Sequence, residues 1–272
     1  MKVCFIGGGN MASAMIGGLL KSGLAADSIS AVDVDAGQRE RLAERFAIRT
    51  HDTAAGAVAG CDCVVLAVKP QQVRNVAAGL APLLDGQLVV TIAAGVRTAD
   101  LARWLGGHDR IARAMPNTPA LIGQGIAGLY AGPGLSSDDR ARVERILGAV
   151  GDVLWVAREA QIDAVTAVSG SGPAYVFMMI EALEAAAAGV GFDAAQARRL
   201  ALATFAGAAN LAAVDAEPPA ALRARVTSKG GTTECGIAAL EAGGLHRLVA
   251  EAVQAANRRA VELGDESGRD VR

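Results

Sequence analysis

The 272-residue chain has little of what several specialised classes of protein require. Its formal net charge is only −2, which gives no basic surface for nucleic acid or for an anionic membrane. Its most apolar helical stretch, residues 173–190, contains Glu181 and Glu184 and is too short and too charged to cross a bilayer. With 52% hydrophobic residues, we expect an ordinary globular protein with no nucleic-acid partner and no membrane partner.

Thiols and imidazoles are also scarce. The cysteines are Cys4, Cys61, Cys63 and Cys235, and the histidines are His51, His108 and His246. The cysteine spacing predicts neither disulfides nor a zinc site, since burial on one face of a strand explains Cys61 and Cys63. A catalytic histidine is an alternative without a sequence partner to support it. We expect no metal, a cytoplasmic location, and no targeting segment, because the first apolar run follows Lys2 directly.

The first 157 residues alternate between apolar strand-like runs and helical stretches. The runs are residues 29–32, 63–68, 88–92, 111–115 and 153–156, and the helical stretches include residues 38–46 and 71–84. This alternation predicts a doubly wound parallel α/β sheet with helices on both faces. Ligands of such sheets bind at the carboxyl ends of the strands, so the residues that follow each strand are the candidates for a site.

Beyond residue 157 the pattern becomes all-helical. The predicted helices are residues 159–168, 173–189, 194–214, 219–226, 233–242 and 245–263. We therefore expect a first domain over residues 1–157 and a helical domain over residues 158–272. Residues 174–190 and 201–214 are apolar nearly all round, and such helices need cover on every side. This favours an oligomer, most simply a two-fold dimer.

The strongest local signal is the stretch VCFIGGGNMASA at residues 3–14. A strand, a turn of the form GxGxxA and a helix follow one another, with Gly7, Gly9 and Ala12 at the special positions. The second strand ends in Asp33, where a ribose-binding carboxylate belongs. The pattern predicts a Rossmann-type dinucleotide site with the pyrophosphate at the helix N-terminus, and a plain structural turn is the alternative.

Three other strand ends carry candidate residues. AVKP (residues 67–70) and TIAAG (residues 91–95) would lie beside the dinucleotide. Lys69 either contacts the dinucleotide or is simply a solvated strand end. Asn117 lies in a loop between Pro116 and Pro119, which is costly unless that side chain must be held in place.

Two loops interrupt the helical half. Residues 169–173 (SGSGP) and 227–233 (TSKGGTT) each place hydroxyl and N–H groups just before a helix. Such donors at a positive helix end suit a small carboxylate. The alternative is that the serines and threonines merely cap the helices.

The chain resembles the pyrroline-5-carboxylate reductase family along its whole length. The matching segments are IGGGNM (6–11), AVKPQ (67–71), IAAGV (92–96), RAMPNTPA (113–120), DAVTAVSGSGPAYVF (163–177) and SKGGTT (228–233). The resemblance implies a Rossmann domain followed by a helical dimerisation domain, with rings of dimers in some members. It also implies hydride transfer from NADPH or NADH to the C=N carbon of 1-pyrroline-5-carboxylate, giving L-proline in the last step of proline biosynthesis.

Roles for individual residues also follow from the resemblance. Together with Asp33, the expected cofactor-binding residues are Ile6, Gly7, Gly8, Gly9, Asn10, Met11, Ala67, Val68, Lys69, Pro70, Ile92, Ala93 and Ala94. The expected substrate-binding residues are Glu159, Ser228, Gly231, Thr232, Thr233 and Asn117, the last near the nicotinamide. Thr166 is the expected catalytic residue, as a hydrogen-bond partner or proton relay for the imine nitrogen, with water as an alternative proton source.

The residues after the second strand depart from the family pattern. Many relatives have a small polar residue or an arginine there, which suits NADPH, whereas Asp33 and Asp35 favour NADH. Arg39 and Arg41 either compensate for these acids or face solvent on a helix. We expect both dinucleotides to serve, with the preference open.

Two rival functions remain to be compared. A hydroxyacid dehydrogenase of the 6-phosphogluconate or hydroxyisobutyrate type would need a lysine on the helix after Gly172, and that helix has none. A nucleotide-binding regulatory protein without catalysis would be expected to lose the substrate loop, whereas residues 228–233 are intact.

Overall fold

A computed structural model describes residues 1–269, which divide into two compact units. The first comprises Met1–Ser171 together with the chain from Ala255 onward, and the second is Gly172–Gln254. The predicted boundary at residue 157 lies earlier than this division, because the helix that begins at Ala160 packs on the sheet of the first unit. Residues 270–272 of the predicted second domain lie outside the described residues.

The first unit is built on an eight-stranded sheet. Its strands are β1 (Val3–Ile6), β2 (Ile29–Val32), β3 (Arg49–His51), β4 (Cys63–Leu66), β5 (Leu88–Thr91), β6 (Ile111–Met115), β7 (Gly125–Ala131) and β8 (Gly151–Trp155). They lie in the order β3-β2-β1-β4-β5-β6-β7-β8, and every neighbouring pair is parallel except β6 and β7. The order reverses between β1 and β4, and ligands of doubly wound sheets bind at this point.

Helices cover both faces of this sheet. They are α1 (Asn10–Lys21), α2 (Ala36–Phe46), α3 (Pro70–Leu80), α4 (Thr98–Trp104), α5 (Ser137–Leu147) and α6 (Ala160–Val165). Phe5 of β1 packs in a cluster with Met15 of α1, whereas its neighbour Cys4 packs in a second cluster with Val73 of α3. Because β1, β4 and β5 are buried at every position, their sequences are continuous apolar runs, which confirms the predicted doubly wound class.

Two strands have no counterpart in the predicted pattern. β3 is the polar segment Arg49-Thr50-His51 at the sheet edge, so no apolar run in the sequence predicts it. β7 contains two glycines and runs antiparallel to β6, which corrects the expectation of a wholly parallel sheet. Its Gly128 is a packing requirement, because a Cβ there would lie 2.7 Å from the Val165 side chain of α6.

The second unit is helical, as predicted. It contains α7 (Gly172–Gly189), α8 (Ala194–Val214), α9 (Pro219–Arg225), α10 (Thr232–Ala242) and the start of α11 (Leu245–Gly268). Many of its large apolar side chains are exposed in the single chain, such as Phe177 at 58% and Met178 at 72%. A surface of this kind marks an interface. None of the helices among residues 1–269 has the length and hydropathy needed to cross a membrane.

Helix α5 begins with a capping box formed by Ser136 and the titratable Asp139. The Asp139 side chain is 1% exposed, accepts the Ser136 hydroxyl at 2.9 Å and pairs with Arg110 at 2.6 Å. Mainly the Arg110 hydrogen bond, with help from Ser136, lowers the pKa of Asp139 from 3.8 to about 2. The ionised carboxylate therefore stabilises the native state above the unfolded pKa, and this contribution is lost as the pH falls towards 2.

We expect Asp139→Asn to lower the free energy of unfolding by about 2 kcal/mol at pH 7, from the lost cap and the weakened bond to Arg110. In urea titrations between pH 7 and pH 2, the difference from the unchanged protein narrows below about pH 4. Asp138→Asn, an exposed neighbour in the same helical turn, is the control. A difference that stays constant down to pH 2 would contradict the assignment.

Candidate functional site

The turn after β1 can be formed only with glycine. Gly7 has a φ of +97°, and a Cβ there would lie 2.7 Å from the Ala67 carbonyl oxygen. Its N–H donates to the Val32 carbonyl at 2.8 Å, so the turn is fastened to the end of β2. At Gly8 a Cβ would lie 2.6 Å from the Leu42 side chain of α2. The turn is therefore fixed by its neighbours at both glycines.

Helix α1 begins at this turn with unoccupied N–H donors. Gly9 is the N-cap residue and has no side-chain cap, and the first turn of α1, which starts with Asn10 and Met11, contains no acid. The first N–H groups of a helix have no partner within the helix. A Cβ at Gly9 would meet no atom within 4 Å, so there is open space beside the residue that precedes these donors. The turn thus fits a dinucleotide pyrophosphate.

Asp33 is bound into the same turn. Its Oδ2 accepts the Gly8 N–H at 2.8 Å, and its Oδ1 accepts the Asp35 N–H at 2.9 Å. Arg39 donates to the Asp33 carbonyl at 2.8 Å, and Arg41 donates to Gln38 Oε1 at 2.6 Å. Arg39 is therefore engaged with the main chain, whereas Arg41 also lies 3.8 Å from the Asp35 carboxylate and pairs with that acid.

A cavity of about 680 Å³ opens at the carboxyl ends of β1, β2 and β4. The predicted residues that line it are Ile6, Gly7, Gly9, Asp33, Ala67, Val68 and Lys69. Residues 52–55, which follow β3, and Gln72, Asn75, Val76 and Gly79 of α3 also line it, and the sequence analysis missed them. A second groove, of about 730 Å³, lies along α1 and α2 and contains Asn10 but no strand-end residue. The first cavity therefore has the lining expected of a dinucleotide site.

The segment after β5 continues this edge. Ile92 donates its N–H to the Leu66 carbonyl at 3.3 Å, and Ala93 donates to Thr91 Oγ1 at 3.3 Å. Ala94 follows, and Gly95 turns the chain with a φ of +71°. On the neighbouring strand end, Pro70 is the first residue of α3, directly after the exposed Lys69. Of these residues only Lys69 lines the cavity, so contact of Pro70 and residues 92–94 with a dinucleotide stays a prediction.

Glu159 and Asn117 both have partners within the protein. Both Glu159 oxygens accept bonds from Thr98, at 2.7 Å from its N–H and 2.8 Å from its hydroxyl. Asn117 is 9% exposed, accepts the Ile126 N–H at 2.9 Å and donates to the Ser169 carbonyl at 3.1 Å. Direct substrate contact by either residue stays a prediction.

Thr166 begins a π-helical turn, Thr166–Gly170, that continues α6. Such turns occur frequently at functional sites. The Thr166 hydroxyl donates its proton to the Ile162 carbonyl at 2.8 Å. Its oxygen keeps lone pairs that can accept a hydrogen bond, so this hydroxyl is better suited to accept than to donate.

The candidate substrate loop lies in the second unit. Gly231 donates its N–H to the Ser228 carbonyl at 3.0 Å, and a Cβ at Gly231 would lie 2.5 Å from Ser228 Oγ. Thr232 begins α10, followed by Thr233, and no side chain caps this helix. The hydroxyls of the loop therefore do not cap α10, whereas the Glu234 carboxylate in its first turn accepts the Gly230 N–H at 2.6 Å.

The buried thiols are poorly suited to chemistry. Burial raises the pKa of Cys4 to about 11 and that of Cys61 to about 12, and it raises the pKa of Cys63 as well. The thiolate is the nucleophile and the metal ligand, so these three cysteines are inert at neutral pH. Within residues 1–269 there is no group of three or more side chains able to hold a metal ion.

Comparisons with known proteins identify both parts of the chain. Residues 159–263 match the family model described as pyrroline-5-carboxylate reductase dimerisation. Residues 2–95 match the model described as NADP oxidoreductase coenzyme F420-dependent. The pyrroline-5-carboxylate reductase of Pseudomonas aeruginosa is 47% identical over 268 residues, which are 98% of each chain.

Solved structures agree with this match. The structure of a pyrroline-5-carboxylate reductase from Coxiella burnetii is 40% identical, with a TM-score of 0.93 over 96% of this chain and 98% of that one. A Plasmodium falciparum pyrroline carboxylate reductase with NADP bound is 27% identical, with a TM-score of 0.86 over 97% and 98%. The hydroxyacid dehydrogenases are therefore not the family of this protein, and the chain belongs to the pyrroline-5-carboxylate reductase family.

Proposed function

We propose that the protein transfers hydride from NAD(P)H to the C=N carbon of 1-pyrroline-5-carboxylate, with protonation of the ring nitrogen, to give L-proline. The observation that carries this proposal is the 47% identity to a curated reductase across 98% of both chains. The glycine turn at residues 7–9 and the donor loop at residues 228–233 are both present. We also propose a cytoplasmic location and the last step of proline biosynthesis as its role.

The dinucleotide supplies the hydride, and the protein's contribution is to bind and orient it. The proposed cofactor-binding residues are Ile6, Gly7, Gly8, Gly9, Asn10, Met11, Asp33, Ala67, Val68, Lys69, Pro70, Ile92, Ala93 and Ala94. The open space beside Gly9, which precedes the α1 donors, supports this set.

We place Thr166 beside the imine nitrogen of the substrate. Because its own proton is donated to Ile162, its oxygen is available to accept a bond from the protonated imine N–H. Such a bond favours the protonated form, which is the better hydride acceptor. A threonine hydroxyl is a weak acid, so in this proposal water delivers the proton and Thr166 orients the ring.

The substrate carboxylate is assigned to the loop of Ser228, Gly231, Thr232 and Thr233. Gly231, the N-cap residue of α10, has no side-chain cap, and Glu234 in the first turn accepts the Gly230 N–H at 2.6 Å, so this assignment relies on the hydroxyls of Ser228, Thr232 and Thr233 as donors. Asn117 is proposed to shape the site by fastening β7 to the π-helical turn through its two bonds. No nucleophile or metal is required, and positioning and electrostatics supply the rate enhancement.

We propose that the helical domain, residues 158–272, forms a two-fold homodimer, with a larger ring of dimers as the alternative assembly. The match of residues 159–263 to a dimerisation model supports the pairing. The exposed apolar side chains of α7 and α8, including Phe177 and Leu200, supply surface for it. The Rossmann domain over residues 1–157 is the other proposed domain.

The proposal is tested by the loss of reduced-nicotinamide absorbance when the purified protein is mixed with pyrroline-5-carboxylate, with NADPH and NADH in parallel. We expect oxidation of both, with L-proline as the product. If folded protein oxidises neither, the proposed function is wrong. A regulatory protein without catalysis would instead bind dinucleotide without turnover.

Asp33 is expected to govern the choice between the two dinucleotides. Its carboxylate repels the extra phosphate of NADPH, and neither arginine pairs with that carboxylate, since Arg39 donates to the Asp33 carbonyl and Arg41 pairs with Asp35. We expect Asp33→Asn to raise the ratio of kcat/KM for NADPH to that for NADH by about 10-fold. Asp27→Asn, an exposed acid before β2, is the control. An unchanged ratio in the Asp33 variant would contradict this role.

A further inference from the structure

The loop between β5 and α4, residues 92–97, is fastened at its end by a side chain from a distant part of the chain. Both carboxylate oxygens of Glu159 accept hydrogen bonds from Thr98, at 2.7 Å from its N–H and at 2.8 Å from its hydroxyl. Helix α4 has no cap from its own N-cap residue, Arg97. Glu159, which lies 61 residues further along the chain, therefore acts as the cap of α4 in place of a neighbouring residue.

The same loop is held on another side by α11. A Cβ at Gly95 would lie 3.1 Å from the main chain of Leu263, so the loop lies directly against this helix. Arg97 pairs with Asp265 at 2.7 Å and donates to the Val261 carbonyl at 3.4 Å. With the two bonds between Thr98 and Glu159, these contacts hold residues 95, 97 and 98 to other parts of the chain.

Arg113 fixes Glu159 in turn. Its side chain, 2% exposed, lies 2.6 Å from Asp163 and 3.4 Å from Glu159 Oε1. Asp163 lies in α6, and Arg113 is the middle residue of β6, so the network joins β6, α6 and the first residue of α4, which follows the loop. Buried charge-assisted bonds of this kind hold a single geometry.

We propose that Glu159 is a positioning residue that acts through Thr98 to hold residues 92–94 against the dinucleotide, and that it does not bind the substrate. This inference rests on the proposed function for the identity of the ligand. Both Glu159 oxygens accept hydrogen bonds from Thr98, and Oε1 also lies 3.4 Å from the Arg113 guanidinium, so the carboxylate is already neutralised within the protein. Loss of the Glu159–Thr98 bonds therefore weakens dinucleotide binding. If Glu159 instead bound the substrate, its replacement would raise the KM for pyrroline-5-carboxylate.

The test measures the Kd of NADP⁺ and of NAD⁺ by calorimetry without substrate, together with the KM for pyrroline-5-carboxylate at saturating dinucleotide. We expect the Kd to rise by about 10-fold in Glu159→Ala and by about 5-fold in Thr98→Val, because a buried charge-assisted hydrogen bond is lost in each. Thr98→Ser, which keeps the hydroxyl, restores the Kd to nearly its original value. The KM for pyrroline-5-carboxylate changes less than about twofold, since no substrate contact is removed.

Glu40→Ala, an exposed acid on α2, is the matched control and leaves the Kd unchanged. If Glu159→Ala does not fold, Thr98→Val and Thr98→Ser decide the question. A raised KM with an unchanged Kd in Thr98→Val or Glu159→Ala overturns the proposal. If the unchanged protein binds dinucleotide but does not reduce pyrroline-5-carboxylate, the proposed function is wrong. The Kd values of the Glu159 and Thr98 variants then still test whether the Glu159–Thr98 bonds support dinucleotide binding.

Discussion

Replacing Gly9 by alanine is expected to remove most dinucleotide binding without lowering the stability of the protein. Gly9 has a φ of −62°, which alanine adopts freely, and an added Cβ meets no protein atom within 4 Å. The methyl group instead occupies the open space beside the residue that precedes the α1 donors, where a pyrophosphate must approach the main chain. We expect the Kd for NADPH and NADH, measured by calorimetry, to rise about 100-fold.

The matched control for this change is Gly148→Ala. Gly148 has a helical conformation that alanine adopts freely and, like Gly9, open space around its Cβ position, but it lies after α5 and outside the cavity. Both variants should unfold at the same or a slightly higher urea concentration than the unchanged protein, because alanine reduces the entropy of the unfolded chain. Undiminished dinucleotide binding by Gly9→Ala would show that the phosphates do not pass over this turn.

The glycine turn could be predicted from sequence because every restraint on it is local. Gly7 and Gly9 lie between β1 and α1 in one strand-turn-helix unit, so their places in the turn follow from their order in the sequence. Asp33 was predictable for a related reason, since the carboxyl ends of β1 and β2 are adjacent in a parallel sheet. What the sequence could not show is that the Asp33 carboxylate also accepts the Gly8 and Asp35 N–H groups.

The missed elements lack a local pattern. β3 is polar because it lies at the edge of the sheet, so residues 52–55 after it could not be placed at the cavity. β7 has glycine at positions 125 and 128, where the strand pattern would have a larger residue, because Ala120 and Val165 pack against those positions. Tertiary packing overrides strand propensity at such sites.

The partners of Asn117 and Glu159 lie at distances along the chain that no periodicity connects. Asn117 binds the main chain of Ser169, 52 residues away, and Glu159 binds Thr98, 61 residues away. A sequence motif shows that a polar residue is present at a strand end or a helix start. It does not show whether that side chain faces a ligand or satisfies the main chain of another element.

Replacing Arg113 by methionine is expected to lower the free energy of unfolding by about 3–5 kcal/mol, the cost of breaking a buried ion pair by removing one partner. Arg113 is 1% exposed and Asp163 is 3% exposed, and their atoms lie 2.6 Å apart. Without the guanidinium, the Asp163 carboxylate is left buried without its counter-ion. Urea unfolding at a fixed protein concentration measures the loss, because assembly makes apparent stability depend on concentration.

The double variant Arg113→Met with Asp163→Asn separates the charge from the packing. Neutralising Asp163 removes the uncompensated charge, so we expect the double variant to recover at least about 1.5 kcal/mol relative to Arg113→Met alone. Arg142→Met is the control, since Arg142 is 37% exposed and its pair with Asp139 is looser, at 3.7 Å. That change should cost less than about 1 kcal/mol. The outcome that contradicts this explanation is an equal loss of unfolding free energy in Arg113→Met and Arg142→Met, or a further loss when Asp163→Asn is added to Arg113→Met. In either case, the buried charge of Asp163 does not account for the stability that Arg113 gives to β6 and α6.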